Sequence, residues 1–82
     1  MTVSEFAIQM YYLEIIKDRT RVIRDGEVLY DDRMEFLRYA HEDSPEKMWF
    51  AGATIQKISM HADVENVREY KYQPDYITDI YI

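Results

Sequence analysis

The sequence predicts a small α+β domain. A mostly antiparallel sheet holds a β-hairpin at 21–30, and one main amphipathic helix, about 33–42, packs on one face. Three observations predict it. Asp25-Gly26 lies between Arg21-Val22-Ile23-Arg24 and Glu27-Val28-Leu29-Tyr30, a turn signal between two strand-like runs. Asp32 followed by Glu35 has the spacing of a capping box ahead of an apolar-periodic segment. Further along, residues 53–61, 67–73 and 76–82 are rich in residues that suit strands.

The N-terminal segment supports two readings. Thr2 with Glu5 has capping-box spacing, which favours a helix. Phe6 to Ile16 are apolar all round the helical wheel, and Tyr11, Tyr12, Ile15 and Ile16 favour a strand buried on both faces. The expectation is a short helical turn followed by a strand over roughly 8–17.

Asp-Gly suits a type I′ turn because both central residues need positive φ. In that register Arg24 faces Glu27, Ile23 faces Val28 and Val22 faces Leu29. In the helix that follows, Met34, Phe36, Leu37 and Ala40 share a broad face with His41 at its margin. Glu35, Arg38 and Glu42 lie on the other side. Ser44 is placed to cap a new turn with Pro45 at its first position. Lys47 to Ala51 continue as a short helix that Gly52 can close. Residues 53–61 and 67–73 read as strands joined around 63–66, and Pro74 breaks the second. Tyr76 to Ile82 read as a last short strand at a sheet edge. Core candidates are Ile15, Val22, Leu29, Phe36, Leu37, Trp49 and Ile58.

A chain of 82 residues makes a single compact domain, 1–82, and one that gains from a partner. Two Gly and two Pro leave no linker, and no repeat is visible. Cysteine is absent, so disulfides and thiolate metal ligands are excluded, which fits a reducing compartment. The longest apolar run is Met10 to Leu13, far below the roughly 18 residues of a membrane span. The N-terminus carries Glu5 and no early Lys or Arg, unlike a signal peptide. The expectation is a cytoplasmic protein, produced at its mature length, that does not enter a membrane.

The net charge of −6 is unevenly placed. Residues 17–24 carry Lys17, Arg19, Arg21 and Arg24 against Asp18, while 25–46 hold eight acids against Arg33 and Arg38. Blocks of one sign steer partners of the other sign.

Motifs for chemistry are missing. The histidines, His41 and His61, lack a partner at i,i+4, so no metal site is expected and no cofactor either. Ser4, Ser44 and Ser59 lack a nucleophile-elbow context, and Gly26 and Gly52 alone cannot build a phosphate loop. The paired acids Asp31-Asp32 and Glu42-Asp43 fall at expected helix ends, where caps and turns explain them. The chain is therefore expected not to be an enzyme.

Eight tyrosines and Trp49 are the compositional oddity, and such residues are enriched at protein interfaces. With the acidic stretch they point to a binding protein that docks on a basic surface, most naturally that of a nucleic-acid-handling protein whose phosphate contacts acids can imitate. The expected contact residues are Asp31, Asp32, Glu35, Tyr39, Glu42, Asp43 and Glu46. In being small, acidic, cysteine-free and motif-free, the chain resembles phage-encoded inhibitors of host defence, anti-CRISPR proteins and nucleic-acid mimics among them. The resemblance is one of composition and carries over no site. Two alternatives stand beside it. One is a small nucleic-acid-binding module using Lys17, Arg19, Arg21 and Arg24 with tyrosine stacking. The other is a homodimeric structural or regulatory protein that pairs through apolar strand edges at 67–72 or 76–82.

Overall fold

The computed structural model describes residues 1–13, 19–62 and 76–82. Four strands, β1 (Arg19–Arg24), β2 (Glu27–Arg33), β3 (Lys57–Ala62) and β4 (Tyr76–Tyr81), form one sheet in the order β2-β1-β4-β3. The β1–β2 and β3–β4 pairs are antiparallel and the β1–β4 pair is parallel. The fold is thus α+β, with a mixed sheet in which antiparallel pairing prevails.

The hairpin forms as the Asp-Gly dipeptide dictates. Asp25 has φ 51° and Gly26 φ 81°, the left-handed pair a type I′ turn requires. Arg24 pairs with Glu27 and Ile23 with Val28, as expected. Beyond them the register shifts, and Val22 pairs with Tyr30 rather than Leu29. A bulge adds one residue to β2 and changes which side chains face inward. Tyr30 then packs against the core, its ring centroid 5.9 Å from that of Phe50.

The main helix is α1, Val3–Tyr12. Its capping box is complete: Thr2 Oγ1 accepts from the Glu5 amide, and Glu5 Oε1 accepts from the Thr2 amide. The strand expected from residue 8 is therefore corrected over 8–12, which continue the helix, while 14–17 lie outside the described residues. The reason is positional. Val3, Phe6 and Ala7 already supply a buried face at helical spacing, and Tyr11, Tyr12 and Leu13 are left exposed at the end of the helix.

The segment 33–42 is not one continuous helix. Asp32 stays in β2 and spends its Oδ1 on the next amide, that of Arg33, instead of capping. A 3₁₀ turn follows at Met34–Leu37, then Arg38 and Tyr39, then one α-turn, α2 (Ala40–Asp43). In a 3₁₀ turn side chains at i and i+3 eclipse. Met34 and Leu37 consequently both enter the core at full burial, and Phe36 is turned outward. Ser44 does not cap a new helix. Its amide donates to Ala40 and its carbonyl accepts from Met48, so it closes one turn and opens the next. A second 3₁₀ turn, Trp49–Gly52, buries Phe50 and Ala51 and leaves Trp49 exposed beneath the Arg24 guanidinium.

β3 starts at Lys57, later than expected, and the residue-67 strand lies outside the described residues. β4 is an interior strand, which corrects its placement at an edge. Ile77, Thr78, Asp79 and Ile80 are all buried, as a strand with neighbours on both sides demands. The core is built on one sheet face from Val3, Phe6, Ala7, Val22, Met34, Leu37, Phe50 and Ile80. Of the expected core residues, Val22 and Leu37 are buried and Leu29 is half-buried. Phe36, Trp49 and Ile58 are exposed, and Ile15 is outside the described residues. No helix among the described residues is long and apolar enough to cross a membrane.

Candidate functional site

Side chains alternate across a strand, so the neighbours of Val22 and Ile80 leave on the sheet face opposite α1. There the register aligns Asp31, Arg21, Asp79 and Ser59 across all four strands. Arg19 and Arg21 share this face, as the alternation predicts, and both guanidiniums are engaged. Arg19 makes a two-pronged contact with Asp31, both distances 2.7 Å. Arg21 grips Asp79 the same way at 2.7 and 2.8 Å. Asp79 also receives His61 Nε2 at 2.9 Å from its Oδ2. Asp79 is 4% exposed, so a central buried carboxylate ties β1 to the β3 edge. The Arg21 hydrogen bonds hold the Asp79 carboxyl below its ordinary range, with a further contribution from His61, against a burial effect of opposite sign. Asp79 in turn raises the Arg21 guanidinium. Of the other predicted basic residues, Arg24 is 4.0 Å from Asp25 and stacks on Trp49, and Lys17 is outside the described residues.

The predicted acidic residues divide into two groups. Asp31 serves Arg19, and Glu35 holds Arg33 at 3.0 Å; both are paired with arginines of the chain itself. Asp32, Glu42, Asp43 and Glu46 are exposed and make no ion pair among the described residues. Tyr39 joins the second group. Its carbonyl accepts from the amides of both Glu42 and Asp43, so all three belong to one turn, and its ring is 51% exposed. Tyr30, on β2, has its hydroxyl pKa pushed upward, first by burial and then by Asp32, Asp31 and Glu35.

Sequence reasoning missed the α1 side of this region. A groove of about 310 Å³ runs between α1 and the 38–42 turn, with Thr2, Glu5 and Ile8 on one wall and Tyr39, His41 and Glu42 on the other. Ser4 closes its base by donating to the Leu37 carbonyl at 2.9 Å. Arg38 also lines the groove, its guanidinium 5.9 Å from the Tyr39 ring centroid. The same guanidinium lies 3.8 Å from the Tyr11 ring centroid, and its Nε donates to the Glu35 carbonyl. Only the capping-box spacing hinted that Glu5 has a fixed position. Likewise Arg21, Asp79 and His61 are too far apart in sequence for any local pattern to join them.

No group of three or more metal-ligating side chains meets among the described residues. The chain matches no protein-family model, no curated protein and no solved structure at a significant level.

Proposed function

We propose that the chain is a non-enzymatic cytoplasmic binding domain that sets the 39–46 surface against a basic surface of another protein, and that this partner handles nucleic acid. The observation that carries the reading is the division of the acids. Asp31 and Glu35 are paired with the chain's own Arg19 and Arg33, whereas Glu42, Asp43 and Glu46 stand exposed without an ion pair among the described residues. Charge of this kind speeds association, and an exposed aromatic at its centre, here Tyr39, supplies the contact that slows dissociation. The carboxylates occupy the place that phosphates take on such a partner. A direct nucleic-acid role for 19–24 is disfavoured, because Asp31 and Asp79 already hold Arg19 and Arg21.

The test is capture from nuclease-treated lysate, with elution by rising salt. The wild type is expected to retain a specific basic protein that elutes late. Replacing Glu42, Asp43 and Glu46 together by Lys is expected to abolish capture, and naked DNA or RNA is expected to show no retardation at about 50 mM salt. If nothing is retained, or the triple reversal leaves capture unchanged, the acids are only solvated surface and the reading fails.

A further inference from the structure

We draw no further inference here: the strongest candidate, the exposed apolar patch of Ile58 and Met60 on β3 at one edge of the sheet, carries nothing, because nothing among the described residues shows what covers it.

Discussion

At the scale of single residues, Asp79 and Thr78 sit side by side on β4 and carry opposite energetic signs. Asp79 is buried with both oxygens engaged by Arg21 and one shared with His61. Its pKa is lowered by the Arg21 contact, so its folded-state value lies below the unfolded one. Its contribution is fully present above the unfolded value, near pH 4, and is lost as pH falls through the folded value. Asp79→Asn is expected to cost about 3 kcal/mol at pH 7, the lower end for a broken buried pair because Arg21 and His61 keep access to water. The variant's urea midpoint should also fall less steeply than the wild type's between pH 5 and pH 2. A cost that does not shrink in acid would show that the carboxylate contributes by shape alone. Thr78 is fully buried on the core face, and its hydroxyl has no hydrogen-bond partner among the described residues. Valine has nearly the same shape and no polar group to desolvate. Thr78→Val is expected to raise stability by about 1 kcal/mol in urea unfolding. A loss instead would reveal a hydrogen bond to that hydroxyl. Neither effect is legible in the sequence, because burial at 78 and 79 follows from β4 lying between β1 and β3.

At the scale of elements, legibility tracks how local the determining contacts are. Asp25-Gly26 sets its own φ values, so the hairpin is readable from two residues. Gly26→Ala is expected to cost about 1 kcal/mol through backbone strain alone, since nothing lies within 4 Å of the added methyl. A thermal melt unchanged from wild type would mean the turn relaxes to another type. The Thr2–Glu5 box was equally local and starts α1 as it should. The Asp32–Glu35 pattern has the same spacing and misled, because β2 pairing to β1 runs on to Arg33 and keeps Asp32 extended. Tertiary pairing there overrides a capping preference worth about 1 kcal/mol. The bulge in β2 and the 3₁₀ turn at 34–37 both serve distant packing, of Tyr30 on Phe50 and of Met34 and Leu37 in the core, and so left no local trace. The candidate site divides in the same way. The Tyr39–Glu42–Asp43 turn was visible as a cluster in sequence, whereas the Glu5 wall of the groove depended on how α1 docks.

At the scale of the whole molecule, strand order decides which edges are open to self-association. The expected homodimer drew on 67–72 and 76–82 as an apolar edge. β4 lies between β1 and β3, so Tyr76–Tyr81 offers no free edge, and 67–72 is outside the described residues. At one end of the sheet, β2 carries the exposed acids Glu27 and Asp32 and is distorted by its bulge. Two copies meeting there would bring like charges together across a twisted edge, the means by which natural sheets avoid pairing. The chain's charge of −6 adds a general repulsion between copies. At the other end, β3 begins with an exposed lysine, Lys57, a residue that blunts edges in the same way. The strand order thus removes the reason for a dimer through β4, and the like charges make a monomer of 10.0 kDa the expected outcome. Light scattering at tens of micromolar in about 150 mM salt, where repulsion is screened beyond roughly 8 Å, is expected to give that mass. Twice the mass under those conditions would show an interface elsewhere. If it dissolved on replacing Ile58 and Met60, the exposed apolar pair on β3, that strand would be its seat.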